Sequence, residues 1–580
     1  MAIFTFDASH VLGKVRAVDT RRVDIQVNSD EDLRKARVGQ LVALALPGAI
    51  EEWLIGVIDK VIKTPILDDS PDPDSNAPEE MATLSLRRES VLNTVRVTLV
   101  GTVRLTTDNK TRFSRSLVQV PEIDGSCHIL RDAQLQTFMN LLSTEGKTDH
   151  SLEMGRYTID DTATAYLDGN KLFQRHASLL GSTGSGKSWS VAVILEQAAK
   201  LPSANLIVID LHGEYRELSY ARHLRIPGPE ELGKSDSSLL FLPHWLLNAE
   251  EMQAMFIDRS EFNAHNQVMA FQDTVVAEKQ QTLKTLNKTE VLNAFTLDSP
   301  IPFSIKNVIT KLKKLNEEMV PGAKVGTEKK GPFNGEFDRL IPRLTSKITD
   351  KRYGFLFQAP DSENEYDAMA NLMKRLMDYS EAKAQIKVID FSEVPSDILP
   401  VIVGLVARII FQVQFWTDRA KRKPMAFVCD EAHLYLPKKD GKNPVEQRAI
   451  ENFEKIAKEG RKYAVALMIV SQRPSDVSPT ILSQCNNIVA LRLTNGDDQA
   501  TVRKLMPESL EGLMDTLPIL DIGEALVVGD AVLLPSRIRI HPPKEKPLSA
   551  TIDFWDEWAK KPNTPDFAKA VENMRRQNRI

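Results

Sequence analysis

Cysteine is scarce in this chain of 580 residues: Cys127, Cys429 and Cys485 are far apart and form no CxxC pair. That excludes a disulfide framework and a cysteine-based zinc site, and it fits a reducing interior. A surplus of positive charge is also missing. Lys+Arg number 74 against 79 Asp+Glu, a formal charge of −5. A general basic coat is excluded, so any polyanion must be held by local charge, such as the lining of a channel. The opening MAIFTFDASHV lacks the basic segment and apolar run of a secretion signal. No tract approaches the ~18 to 20 apolar residues that span a bilayer. The longest, VIVGLVARIIF, is interrupted by Arg408 and reads as a buried helix. No membrane is expected, and the expected location is the cytoplasm.

What is present is an ordinary globular composition, 42% hydrophobic and 26% charged, long enough for two to four domains. Residues 1–150 read as β-rich. HVLGKVRAVDTRRVDIQV alternates apolar residues, with Gly13 breaking the run, and QLVALALPG, EEWLIGVIDKVIK, SVLNTVRVTLVGTVRL and SRSLVQVP follow. Between them lies an acidic, proline-rich loop, DDSPDPDSNAPEE. Many short strands separated by turns predict a small barrel.

From His176 the pattern becomes strand, glycine-rich loop, helix, strand: HASLL, the loop, WSVAVILEQAAK, NLIVID. That order marks a parallel α/β sheet. The first part of this core is taken as 151–244. Residues 245–380 interrupt it as a helical insertion, carrying NAEEMQAMFI, NQVMAFQDTVVAEKQQTL and YDAMANLMKRLMDYS. Within the insertion, VPGAKVGTEKKGPFNGEF predicts an exposed, mobile loop. The core resumes over 381–540 with IKVID, MAFVCD, AVALMIVSQ and NIVALRL. ALVVG and AVLLPSRIRI predict a hairpin around Gly529-Asp530, and a polar, helical tail fills 541–580.

Gly181-Ser182-Thr183-Gly184-Ser185-Gly186-Lys187-Ser188 matches G-x-x-x-x-G-K-[ST], with a strand before it and a helix after it. Glycines let the backbone wrap a phosphate with its N–H groups inward, and the helix N-terminus adds partial positive charge. Lys187 would reach the β and γ phosphates of ATP, and the Ser188 hydroxyl would ligate Mg²⁺. MAFVCDEAHLYLP supplies a strand ending in two acids. Asp430 suits the Mg²⁺ shell. Glu431 suits polarisation of the attacking water, which needs a carboxylate beside the metal and not on it. AVALMIVSQRP ends a further strand in Ser471, Gln472 and Arg473, and Gln472 is the candidate contact to the γ-phosphate and lytic water. LHGEY places His212, Glu214 and Tyr215 after Asp210, where they either position water or simply hold the turn.

Four segments then carry a resemblance: RHASLLGSTGSGKS, NLIVIDLHGEY, FVCDEAHLYLP and AKEGRKYAVALMIVSQRPSDVSPTILSQCNNIVALRLTN. Together they are similar to the HerA family of the FtsK–HerA superfamily, bacterial type. The resemblance implies a RecA-like P-loop ATPase core with a helical insertion, an N-terminal β-barrel and a C-terminal extension. It implies a homohexameric ring around double-stranded DNA, with arginines of one copy completing the neighbour's ATP site. Arg175 and Arg461 match two such arginines, and a guanidinium suits charge spread over transferring phosphate oxygens. The bland alternatives are that Arg175 caps its strand and that Arg461 merely follows the negative end of a helix.

DNA in a ring is gripped through phosphates, so channel loops should carry Lys and Arg. Lys324, Lys329 and Lys330 form one candidate set; Arg343, Lys347, Lys351 and Arg352 form another. The resemblance further implies a partner nuclease, or an NAD-hydrolysing effector of antiphage defence, docked on the barrel. The main expectation is an ATP-driven translocase or helicase of duplex DNA. The alternative is an ATP-regulated platform that activates its effector without processive movement. A transfer ATPase of a conjugation system is a third, more distant reading.

Overall fold

The computed structural model describes all residues except 1–2, 48–50, 68–88, 107, 109, 118, 235, 325, 382, 439–443, 508–510, 550–552, 561–566 and 577–580. The acidic, proline-rich segment DDSPDPDSNAPEE therefore lies outside the described residues. The chain forms two compact units. The first comprises Met1–Leu172, Leu180–Ser190 and Asn486–His541, and the second Phe173–Leu179, Val191–Cys485 and Pro542–Ile580.

The first unit begins with β1 (Val11–Asp19), β2 (Arg22–Val27), β3 (Leu41–Ala45), β4 (Glu52–Leu67), β5 (Glu89–Leu105), β6 (Thr111–Ser114) and β7 (Ser126–Ile129). Their order is β2-β1-β7-β3-β4-β5-β6, and β2 also pairs with β5. Six strands thus close into an antiparallel barrel, which leaves no open edge between them. Period-2 alternation is the cause. In β2, Val23, Ile25 and Val27 point inward against Val15, Val42, Leu54, Val95 and Val97. Gly13 sits at a register shift, and a Cβ there would lie 2.2 Å from the Gln26 carbonyl oxygen, so only glycine permits that approach. The strand expected over SRSLVQVP stops at Ser114. Beyond it the Arg115 guanidinium donates to the Gly529 carbonyl (2.9 Å), so the chain leaves the barrel sheet.

Next in the chain come β8 (Ser151–Tyr157), β9 (Thr164–Asp168), β10 (Ala177–Leu180), β11 (Leu206–Asp210), β12 (Arg222–Arg225), β13 (Met319–Pro321) and β14 (Glu328–Lys330). They are followed by β15 (Ile386–Asp390), β16 (Met425–Cys429), β17 (Val465–Ser471), β18 (Asn487–Leu491), β19 (Glu524–Val528) and β20 (Ser536–Ile540). In the first unit β18-β19-β20-β8-β9 run antiparallel in that order. The expected hairpin exists, but its pairing begins at Val527↔Ser536, and AVLLP is not a strand. The Ala531 N–H is given to Asn487 Oδ1 (2.8 Å) and its carbonyl accepts from the Asp168 N–H (2.7 Å), which holds the connection away from the ladder.

In the second unit the order is β12-β15-β11-β16-β17-β10, and the pairings from β12 through β17 are parallel. These strands are buried along their length, as two-sided coverage by helices requires. The helices of 245–380 include Ala249–Phe256, Ala264–Thr285, Ile305–Glu317, Leu340–Thr349 and Ala368–Met377. The expected glycine- and lysine-rich loop instead contains a hairpin, with Met319↔Lys330 and Val320↔Lys329 paired and Lys329 and Lys330 exposed. Gly326, at φ +82°, lies in the turn between the strands and supplies the left-handed backbone there.

The helix Leu399–Trp416 corrects another expectation: its 18 residues are long and apolar enough, by length and composition, to cross a membrane. It is 72% buried in the protein. Arg408, which breaks the apolar run, donates to both carboxylate oxygens of Glu251 (2.8 and 2.7 Å) and to the Leu246 carbonyl (2.7 Å). Removing one member of such a pair strands the other charge, at a cost of ~3 kcal/mol or more. Glu251→Ala is expected to lower the urea stability of the second unit by that much. A loss under ~1 kcal/mol, the range of an exposed pair, would show the pair is solvated.

Candidate nucleotide site

The phosphate cradle belongs to the first unit. β10 leads into it, and the helix Lys187–Ala198 leaves it. Gly184 (φ +72°) and Gly186 (φ +104°) take left-handed backbone that only glycine adopts without strain. The loop is braced from below. The Ser182 N–H donates to the Arg492 carbonyl (2.8 Å), and the Ser185 carbonyl accepts from the Gly523 N–H (3.0 Å). A Cβ at Gly181 would lie 2.8 Å from Leu491 Cβ, so the loop sits directly on the end of β18. Lys187 is buried, and its Nζ donates back to the Ser182 carbonyl (3.4 Å), which lays the ammonium across the loop. Ser188 is on the first helical turn, among N–H groups with no intrahelical partner. Thr183 and Gly184 form the exposed tip.

The acids belong to the second unit. β11 and β16 are parallel neighbours, so Asp210 and Asp430 emerge at the same sheet edge. Asp210 is fully enclosed, and its carboxylate accepts from the N–H groups of His212, Gly213, Glu214 and Tyr215 at 2.8 to 3.2 Å. It is the organiser of the LHGEY turn. Burial raises its carboxyl above the ordinary range even so. His212 is exposed. Burial also holds Asp430 well above the usual carboxylate range, helped by the like charges of Glu431, Glu214 and Asp210. A cation beside Asp430 would offset that like-charge repulsion. Among the described residues no three His, Cys, Asp or Glu side chains form a closed metal cage. One carboxylate, one hydroxyl, phosphate oxygens and waters are the ligands Mg²⁺ commonly takes.

Glu431 adopts φ 45°, ψ 44°, a left-handed conformation that costs a glutamate ~1 kcal/mol or more. The chain thereby leaves the extended backbone of the strand at Glu431. His433 was not singled out from the sequence. Its Nδ1 lies 3.2 Å from Glu431 Oε2 and 3.4 Å from Ser471 Oγ, joining the acid pair to the end of β17. The only available signal was its place two residues after Glu431 on the turn Ala432–Leu434. Gln472 follows Ser471, one strand over from the acids.

Arg461 lies at the opposite end of β17, exposed in the turn Gly460–Tyr463. Arg175 is also exposed. Its neighbour His176 accepts from the Leu467 N–H at Nδ1 (2.9 Å) and donates from Nε2 to the Ala457 carbonyl (3.0 Å). Burial lowers the His176 pKa, which keeps the ring neutral for that pair of bonds. Both arginines therefore flank the start of β17. Of the second basic set, Arg343 pairs with Glu261, Lys347 with Asp397 (3.5 Å) and Arg352 with Asp350 (2.7 Å).

A glycine-rich cradle with a buried lysine, and a strand-end acid pair beside a polar strand terminus, define a P-loop ATPase. Residues 152–410 match the family model described as "Helicase HerA, central domain". The chain is 27% identical over 429 residues to the DNA double-strand break repair helicase HerA of Pyrococcus furiosus, covering 68% of this chain and 70% of that protein. It is 26% identical over 428 residues to a probable DNA double-strand break repair helicase HerA of Methanocaldococcus jannaschii, covering 68% and 76%. The structure of VirB4 of Thermoanaerobacter pseudethanolicus aligns with a TM-score of 0.46 at 17% identity, over 68% of this chain and 97% of that one. The chain is thus similar to HerA helicases over its central part, and it is an ATPase.

Proposed function

We propose that this ATPase assembles as a homohexameric ring, hydrolyses Mg²⁺·ATP at sites shared between copies, and uses the cycle to move double-stranded DNA. Cradle N–H groups and Lys187 hold the phosphates, and Ser188 and Asp430 hold Mg²⁺, which neutralises developing charge. Glu431 takes a proton from the attacking water, and Gln472 orients that water.

One observation carries the shared-site reading. Glu431 and Gln472 are at the carboxyl ends of β16 and β17, whereas Arg461 is exposed at the amino end of β17. Seven residues at ~3.3 Å each put roughly 20 Å between those ends. A guanidinium does not span that distance, which supports the reading that Arg461 serves the site of another copy. Mixing tests this. Arg461→Ala chains retain an intact cradle, and Lys187→Ala chains retain an intact arginine. Co-assembled, the two inactive variants should recover turnover. Intact mixed rings with no recovery at any ratio would show that Arg461 completes no neighbour's site.

The relatives named above are repair helicases, which supports duplex DNA as the substrate. ATP-dependent displacement of a protein block bound to duplex DNA tests movement directly; hydrolysis without displacement would favour an ATP-regulated platform. The barrel, where Val120 and Ile123 are exposed, is the surface we assign to a partner nuclease or NAD-hydrolysing effector. The hairpin lysines Lys324, Lys329 and Lys330 are the assigned phosphate contacts.

A further inference from the structure

The turn that carries Arg461 is held from one side by a residue outside the nucleotide motifs. Gly460 is required there, because a Cβ would lie 2.4 Å from the Val465 carbonyl oxygen. Ala464 closes the turn at φ +59°. Between them the Lys462 carbonyl, next in the chain after Arg461, accepts from Arg422 Nη1 (3.2 Å). The same guanidinium donates from Nε to the carbonyls of Gln414 (2.9 Å) and Thr417 (3.0 Å), and from Nη2 to that of Phe415 (3.2 Å). Those three carbonyls cap the end of the helix Leu399–Trp416. They are acceptors a helix leaves unpaired, at its negative end. The guanidinium also lies over the Tyr463 ring, 4.9 Å from its centroid. Tyr463 in turn packs on Phe411 (5.3 Å) and Phe415 (5.2 Å) of the same helix.

We infer that Arg422 is a positioning residue: it bolts the Arg461 turn to a buried helix, so that the finger is presented to the neighbouring copy in one geometry. The inference rests on the shared-site reading above. A flat fork with five donors satisfies four carbonyls at once while stacking on an aromatic ring; a lysine ammonium cannot do both. Holding the backbone beside Arg461 lowers the cost of ordering its long side chain at the moment of phosphoryl transfer. Arg422 touches no reacting atom in this role, so its effect must pass through Arg461.

A double-mutant cycle tests this on full-length assemblies of confirmed size. Arg422→Ala should lower kcat ~10-fold with KM for ATP changed less than ~2-fold, the signature of lost transition-state stabilisation. Arg422→Lys should not restore it, and carries the same comparison if the alanine variant does not fold. Arg422→Ala combined with Arg461→Ala should be no slower than Arg461→Ala alone, because the two act as a unit. Co-assembly with Lys187→Ala chains, which supply an intact turn, should restore turnover at the Arg422→Ala cradles. Losses that multiply in the double variant would overturn the inference. So would mixtures that rescue Arg461→Ala but not Arg422→Ala. A normal kcat in Arg461→Ala would overturn the shared-site reading itself, and this inference with it.

Discussion

Lys187→Ala is expected to reduce ATP turnover below ~1% of the parent rate and to weaken nucleotide binding ~10- to 100-fold. The binding estimate is the loss of charge-assisted hydrogen bonds to phosphate, ~1.5 to 3 kcal/mol. The larger effect on turnover follows because charge on the β–γ bridge and γ-oxygens grows toward the transition state, where a fixed ammonium is worth most. Lys187 is placed for this by its surroundings. It is 7% exposed, its backbone starts the helix, and its Nζ lies over the loop at the Ser182 carbonyl. Lys187→Arg should not rescue, since a planar fork does not fit a cradle built for a point charge. Calorimetric titration with an ATP analogue separates binding from turnover. More than a tenth of the parent rate in Lys187→Ala would remove the lysine from the mechanism.

Glu431→Gln is expected to bind ATP at least as well as the parent and to hydrolyse it ~100-fold more slowly or worse, the scale of a lost general base. The substitution is nearly isosteric and keeps the left-handed turn. It also removes one of the like charges that push the Asp430 carboxyl up, so Mg²⁺·ATP should be held as firmly or more firmly. Binding and turnover must therefore move apart. Single-turnover measurement of phosphate release checks this, and near-parent release would show that another group activates the water.

Much of this site was legible in linear order because each half is local. Gly181 to Ser188 is one uninterrupted run whose glycine spacing has a direct backbone meaning, and Asp430 and Glu431 end a strand of five apolar or small residues. The barrel was legible because period-2 alternation reports which face of a strand is buried. What was not legible depended on partners far away in the chain. AVLLP has strand composition, yet Asn487 and Asp168 take its backbone bonds. SRSLVQVP ends as a strand at Ser114 because Arg115 is drawn to Gly529. The loop over 320–337 has turn residues throughout, and only the pairing of Met319 with Lys330 makes part of it a hairpin. Arg343, Lys347 and Arg352 are candidate phosphate contacts in the sequence, and only the fold shows them paired with Glu261, Asp397 and Asp350.

By itself the sequence determined the chemistry on offer: a phosphate cradle, an acid pair and an ATPase similar to HerA helicases, because these reside in short segments whose backbone geometry their own residues dictate. Only the tertiary structure decided direction and support. It put Glu431 and Gln472 at one end of the parallel strands and Arg461 at the other, gathered Asp210 and Glu214 around Asp430, and brought Arg422 under the Arg461 turn. These are relations between residues tens to hundreds of positions apart, and strand order and long-range hydrogen bonds set them, not local propensity.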